Sequence, residues 1–580
     1  MQDQHPGAEA HSRTAQPVIV VGAGPVGAVA ALLLADSGIP VTLLERHLQP
    51  HPLPRAVHMD DEVARILHRL GVSEGFLARS RPGSGLRLVD ARHRVMAEFR
   101  REQAGVHGFP QANMFHQPDL EELLLARVAQ QPLISFCRGT EIIAYNDPPG
   151  PLSAAPVQVV ARLAPGEPVR TFTGCLVLGC DGAGSTIRDL AGITMEDLGF
   201  TERWLVVDIR VPGGLDTWDG VEQVCDPARA ATFMQVTGDR YRWEFQLRDD
   251  EDEAGLTTPQ ALGALLQPWT GRDDLAGLEI IRSASYTFRA RLADRFQAGR
   301  VFLLGDAAHL TPPFIGQGLG AGLRDADNLA WKIAHVLTGR AGEDLLTTYD
   351  AERRPHARAM VKKAVRVGWA MTGGQDRAAA VRRVALAAAV RSARLRDAMA
   401  STATPRLKTG ALQPGPGRLL PRRLPRPRGG GLLPNPLVRV GDGEPVRLDM
   451  LLAGRTAVLT ARRPEAALRD LCRRHGLLLI RISAGSGPAS VKAGADWTEA
   501  RLAGGEPLAV RRTLTADPAL TVVVRPDRVV AAVAAGRTLP RLPWAVPPGP
   551  YPPSPGTAAP GRPGTAVPRS RPGQAAPPGP

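Results

Sequence analysis

The sequence predicts an α/β (α+β) chain: a parallel strand–helix–strand core, a more strand-rich part inserted into it, and a smaller α/β block behind. Three observations predict this. The apolar run Val18–Val21 ends at Gly22, a helical segment at 25–37 stops at Gly38 with Pro40 beyond, and a second apolar run at 41–44 ends at Glu45. Strand, helix and strand within about 30 residues make a βαβ unit with a parallel pair. Further apolar strands at 175–178 and 301–304 bracket strand-like pieces at 204–211, 240–247 and 280–288. Long helices are expected from 322 to 337 and from 344 to near 400, with Pro355 interrupting the second.

Composition bounds the rest. The chain has 580 residues, 43% of them hydrophobic and 22% charged, enough for a large core. No window approaches the ~18 apolar residues of a membrane span. The polar stretch 1–16 lacks the basic-then-apolar order of a signal peptide. Five cysteines, Cys137, Cys175, Cys180, Cys225 and Cys472, form neither a disulfide framework nor a metal-site spacing. A reducing cytoplasm is the expectation, with no metal. The net charge of +14 belongs to residues 401–580, which hold 27 basic and 10 acidic side chains. Those arginines sit among prolines, glycines and alanines rather than aromatics, which argues against nucleic-acid binding.

The first chemical signal is Gly22-x-Gly24-x-x-Gly27. With 61 glycines in the chain, three at this spacing occur about 0.7 times by chance, so context must carry the reading. The glycines fall at the strand-to-helix turn. There Gly22 permits the bend, Gly24 lets a pyrophosphate approach the backbone, and Gly27 lets helix and strand close up. The helix N-terminus offers free amides and positive dipole to phosphates. Glu45, ending the second strand, is placed for a ribose. The alternative is a purely structural glycine turn. Gly305-Asp306 follows the strand at 301–304, where a carboxylate can meet ribityl hydroxyls. The stretch 307–318 is a rigid turn of small residues and prolines entering a helix, suited to a planar ring. Cys180-Asp181-Gly182 with Ser185 and Arg188 again follows a strand.

These residues resemble the single-component FAD-dependent aromatic hydroxylases. The glycine fingerprint, Asp181-Gly182 and Gly305-Asp306 occur in that family's order. Gly316-Gln317-Gly318 and Asp325-Ala326-x-Asn328-Leu329-Ala330-Trp331-Lys332 extend the match. Pro54-Arg55-Ala56, Gln117-Pro118, Cys225-Asp226-Pro227 and Arg242-Trp243-Glu244-Phe245 are similar to the branch that hydroxylates 3-(3-hydroxyphenyl)propionate and 3-hydroxycinnamate. Gly320 departs from the asparagine of many relatives. The resemblance implies a Rossmann-like FAD-binding domain over 17–400 with a β-rich substrate domain inserted at about 196–290. A Pro/Arg-rich linker at 401–436, a thioredoxin-like domain at 437–545, and disordered ends at 1–16 and 546–580 complete the organisation.

The implied reaction hydroxylates a phenol with O₂ and NAD(P)H through a flavin C4a-hydroperoxide, FAD being tightly bound and NADH or NADPH visiting transiently. Alternatives are tailoring of a polyketide or other polycyclic aromatic and, from another class, a non-catalytic flavin-binding scaffold. The implied FAD residues are Gly22, Gly24, Gly27, Glu45, Arg46, Arg55, Gln117, Asp181 and Asp306. Arg55 also has the reach for a nicotinamide cofactor or an ion pair with Asp60 or Asp61, and Gln117 also suits a polar helix start. Pro312, Gly316 and Gln317 are expected beside the isoalloxazine. His309 reads as structural more than as a base. Arg203, Arg242, Trp243 and Tyr286 are the substrate-contact candidates, an arginine being able to hold a carboxylate bidentately. Cys472 lacks a Cys-x-x-Cys partner, so the end domain is expected to be structural or dimer-forming.

Overall fold

The computed structural model describes residues 16–372 apart from 51–54, 151, 153–154 and 164–167, then 404–412 and 427–484. It continues over 496–535 apart from 505, 507 and 516–519, with 542 and 544. The expected disordered ends (Gln16 aside), Pro54, and the Ala-rich continuation of the second long helix to 400 lie outside the described residues.

The fingerprint strand Val18–Val21, buried throughout, is central in a six-stranded sheet. Leu176–Gly179 and Val301–Leu303 lie on one side and Val41–Glu45 and Ile134–Arg138 on the other, all parallel. A short antiparallel strand, Gln297–Ala298, closes one edge. Such a sheet is buried on both faces, which explains why its strands read as unbroken apolar runs. Helix Pro25–Asp36 crosses over from the first strand, and Gly318–Leu337 packs beside it. This second helix begins four residues earlier than its apolar periodicity suggested, because Gly318, Gly320 and Ala321 around Leu319 have little side chain to report it. In helix Asp344–Thr372, Pro355 cannot donate to the carbonyl of Ala351, and the hydroxyl of Thr409 takes that oxygen instead at 2.6 Å.

The inserted part is an eight-stranded sheet. Its order runs His309–Leu310, Glu279–Ala293, Met195–Arg210, Arg240–Gln246, Ala231–Gln235, Val221–Val224, Gly85–Val89, Val95–Arg100. The expected boundary of about 196–290 leaves out His309–Leu310 and the last two strands. Gly85–Val89 joins by parallel pairing with Val221–Val224, a contact between segments over 130 residues apart that no local pattern announces. One face of this sheet holds Leu205, Val207, Ile209, Tyr241, Trp243 and Phe245 against helix Pro259–Thr270. The opposite face looks toward the six-stranded unit.

The C-terminal unit, expected to be thioredoxin-like, is a seven-stranded mixed sheet. The strands Thr498–Leu502, Leu478–Ser483 and Ala457–Thr460 run parallel beside the hairpin Leu520–Val524 and Val530–Ala535. Alternation sorts its faces: Leu459, Val522 and Val524 form its own core, while Val458, Val523 and the lone Cys472 pack toward Trp331 of helix Gly318–Leu337. The expected linker is partly built in. Leu407, Ala411 and Asn435 are buried, Leu407 N donates to Gly430 O, and Gly430 N donates to Val530 O. No described helix is long and apolar enough to cross a membrane.

Candidate active site

The glycine turn has the geometry that a phosphate-bearing ligand requires. Gly22 sits at φ +99°, and a Cβ there would stand 2.4 Å from Cys180 O. A Cβ on Gly27 would stand 1.8 Å from Gly22 O, so helix and turn touch through bare backbone. Gly24 is different: nothing lies within 4 Å of its missing side chain, and no side chain caps the helix it starts. The glycine crowded by protein fixes the fold, and the glycine facing open space leaves room for a ligand. Glu45 reaches the same turn, its Oε2 accepting from Ala23 N at 2.8 Å and its Oε1 from His47 N at 2.9 Å. Arg46 is exposed and donates to His47 Nε2 at 3.0 Å, away from the cavity.

A cavity of about 690 Å³ opens from Gly24 between the two sheets. Asp306 lies on its wall, and its carboxylate accepts no hydrogen bond from the described residues; burial raises its pKa against the pull of His309 and Arg55. Asp181 behaves otherwise. Its Oδ1 accepts from Ser185 Oγ at 2.5 Å and its Oδ2 from Ile187 N at 3.0 Å, so it braces its own turn and leaves the cavity wall to Cys180 and Gly182. Arg188 then ties this turn to the next, donating to Ala183 O at 3.0 Å and Ala307 O at 3.4 Å. The carboxylate expected at FAD is thus a local brace, because the serine four residues on competes for it.

The turn after Asp306 is held from behind. Asp325, wholly buried, accepts from Gly305 N at 3.1 Å, His309 Nε2 at 2.8 Å and Arg353 Nε at 2.7 Å. His309 is thus held by Asp325 behind the turn, off the cavity wall. Gly316 has φ +60°, and a Cβ would stand 2.8 Å from His58 Nδ1. Gln317 is buried and accepts from Arg324 Nη1 at 3.1 Å, while Arg324 pairs with Asp60 at 2.5 Å and Glu62 at 2.8 Å. Residues Pro313 to Leu319 line the cavity, but Pro312 is buried outside it. Its role is to fix φ at −56° at the head of the turn. Gln117 holds the facing edge, its Oε1 accepting from Arg55 N at 3.1 Å and Ala56 N at 2.7 Å, with Arg55 exposed at the rim.

Strand alternation decides the far wall. In Arg240–Gln246, Arg242 and Glu244 face the cavity, and Trp243 must face the aromatic core with Phe233 and Trp269. Trp243 is therefore not a substrate contact. Arg203 is exposed and also off the cavity. Arg242 and Tyr286 do line it, yet the arginine's fork is already used. Asp208, directly opposite in the neighbouring strand, receives Arg242 Nε at 2.7 Å and Nη2 at 3.0 Å, and Arg282 Nη2 at 2.9 Å. Arg242 Nη1 donates to Arg55 O at 2.9 Å, and Arg282 Nη1 to Tyr286 Oη at 2.9 Å. Asp208, Glu244, Arg282, Arg101 and Lys363 were missed. Parity with Arg242 would have found Glu244, whereas the others join through strand or helix pairings distant in sequence.

The residues present fit FAD: an open approach at Gly24, a carboxylate at Asp306 that accepts no hydrogen bond from the described residues, a helix start at Gly318 without a side-chain cap, and one cavity joining them. Residues 15–364 match the family described as FAD binding domain, and 430–546 match the HcaD C-terminal domain. A 3-(3-hydroxy-phenyl)propionate/3-hydroxycinnamic acid hydroxylase of Mycobacterium sp. is 33% identical over 90% of this chain and 89% of its own. A probable NADH-specific resorcinol 4-hydroxylase of Rhodococcus jostii is 34% identical over 67% and 71%. In fold, the chain is similar to aklavinone-11 hydroxylase crystallised with FAD and aklavinone, with TM-score 0.71, 24% identity, and 90% and 96% of the two chains covered. With a family match over most of its first 364 residues and a relative matched nearly end to end, this chain belongs to the FAD-dependent aromatic hydroxylases.

Proposed function

We propose that the protein hydroxylates a phenol bearing an acidic side chain, of the 3-(3-hydroxyphenyl)propionate type, with O₂ and NAD(P)H. The observation that carries this reading is a single cavity whose wall includes both the glycine turn at Gly24 and the polar strand face at Arg242 and Glu244. Bound FAD supplies the redox chemistry: it takes reducing equivalents from the nicotinamide and activates O₂ for transfer to the ring.

The chain's own tasks are position, dryness and charge. Val206, Met234, Phe288 and Phe314 give the ring an apolar seat. The Pro313 to Leu319 turn fixes the other side of that seat through Gln317 and Arg324. The two sheets flank this seat and limit its contact with water. Arg242 cannot clamp a carboxylate, because Asp208 holds it. Arg101 and Lys363 are the cations placed near a substrate anion: both line the cavity, burial lowers the pKa of each, Asp61 raises that of Arg101, and Arg101 lowers that of Lys363 further. A cytoplasmic setting suits the NAD(P)H requirement.

The test is to purify the chain with its flavin and follow NADH and NADPH oxidation across a panel of phenols, identifying products. Stimulation and hydroxylation with 3-(3-hydroxyphenyl)propionate support the reading. Stimulation by polycyclic phenols alone overturns it.

A further inference from the structure

Glu244 is a cavity-wall carboxyl without a hydrogen-bond partner among the described residues. It is 9% exposed, lines the cavity, and accepts no hydrogen bond from the described residues. Its neighbours are committed to one another. Thr232, opposite it on the next strand, donates its hydroxyl to Gln223 Oε1 at 2.9 Å, and the Gln223 amide donates to Ala231 O at 3.0 Å and Val224 O at 3.2 Å. On the other side, Arg242 and Arg282 share Asp208. The hydroxyl of Tyr286 accepts from Arg282, so its own proton is left to donate. A buried carboxyl with no hydrogen-bond donor from the described residues points to a ligand group that completes it.

The charges say which group. Two guanidiniums against Asp208 leave one positive charge on the wall. An ionised Glu244 cancels it; a protonated Glu244 leaves it for an anion. Burial raises the pKa of Glu244; Arg242 lowers it, Asp208 raises it, and Arg282 lowers it. Besides Tyr286, the other ionisable groups on the wall are Arg55, His58, Arg101, Cys180, Asp306 and Lys363. Of these, Arg55 stands at the exposed rim, and the ring of His58 faces the Gly316 carbonyl at 3.4 Å.

Resting on the phenol reading above, we propose that Glu244 is the proton acceptor for the substrate. The phenolic O–H bond breaks, its electron pair stays on the oxygen, and the proton resides on a Glu244 carboxylate oxygen. Carboxylate plus phenol becomes carboxylic acid plus phenolate, so no net charge is created in the cavity, and the residual positive charge of Arg242, Arg282 and Asp208 faces the phenolate. The ring is thereby made electron-rich for oxygen transfer.

The experiment adds 3-(3-hydroxyphenyl)propionate to the FAD-loaded protein in weak buffer at pH 7, reading the ultraviolet phenolate band and proton release with an indicator dye. For the natural chain the expected result is a phenolate band with no proton released. For Glu244→Gln the band moves more than one pH unit to the alkaline side, and the hydroxylation rate at pH 7 falls at least tenfold and recovers as pH rises. FAD content and binding of the 3-methoxy analogue, which has no proton to give, stay unchanged. A Glu244→Gln protein that keeps the band at pH 7 without proton release overturns the proposal. Should that variant not fold, the natural chain decides alone: one proton released per phenolate, or no phenolate at all, overturns it. A natural chain that binds no phenol but does oxidise NADH defeats the substrate reading, and this assignment with it.

Discussion

Arg525 donates from Nη1 and Nη2 to the two carboxylate oxygens of Glu352 at 2.8 and 2.9 Å, joining the C-terminal sheet to helix Asp344–Thr372 with neither side chain exposed. Lys332 Nζ donates to the same carboxylate at 3.0 Å, and Asn328 at 2.8 Å. The C-terminal unit is thus locked to the helix that forms one wall of the cavity.

Breaking this joint leaves buried cations short of a counter-charge. Glu352→Gln is expected to destabilise the protein by about 3–5 kcal/mol, read from the midpoint of denaturant unfolding. The cations hold the Glu352 carboxyl well below the usual carboxylate range, despite burial. That contribution is present above the unfolded pKa and is lost as pH falls through the folded one. Unfolding below pH ~4 should therefore be shallower in Glu352→Gln than in the natural chain.

The glycine turn separates fold from ligand. Gly27→Val puts atoms into the Gly22 carbonyl and is expected to prevent folding, seen as insoluble or protease-sensitive protein. Gly24→Ala meets nothing within 4 Å, so the flavin-free variant should melt like the natural chain. Its affinity for FAD should fall tenfold or more, about 1.4 kcal/mol, in a fluorescence titration.

Lys363→Met tests the anion site. The expected result is a rise in KM of about tenfold for phenols carrying a carboxylate and little change for resorcinol, measured by steady-state NADH oxidation with product analysis. An equal effect on both classes places Lys363 in general packing.

How far the sequence reached depends on the range of each interaction. The fingerprint at Gly22, Gly24 and Gly27 was legible because a turn's requirement for missing side chains is written locally. Asp306 was legible as the residue ending a parallel strand, and Pro312 as a rigid entry to the turn, though not its burial away from the cavity. Asp181 looked the same as Asp306 but was claimed by Ser185. Trp243 was misread although strand parity with Arg242 excludes it. Asp208 stayed hidden because its partners lie 34 residues away at Arg242 and on a third strand at Arg282. The strands at 85–100 escaped for the same reason.

Asp61 gives a pH signature. Burial, then the neighbouring Asp60 and Glu62, push its carboxyl up to about 8. The folded chain therefore holds a proton that the unfolded chain releases near pH 4. Stability from this group is full below the unfolded pKa and is lost as pH rises toward 8. The natural protein is expected to lose on the order of 1–3 kcal/mol between pH 5 and pH 8 from this source, and Asp61→Asn to lose less. Thermal melts of both across that range check it.

The most direct measurement is a reaction of the FAD-loaded chain with NADH and 3-(3-hydroxyphenyl)propionate under oxygen-18 gas, with mass analysis of the product. The expected product is a dihydroxyphenylpropionate whose new hydroxyl carries the isotope. A product labelled from water, or NADH consumed with hydrogen peroxide as the sole outcome across the phenol panel, contradicts oxygen insertion at this cavity.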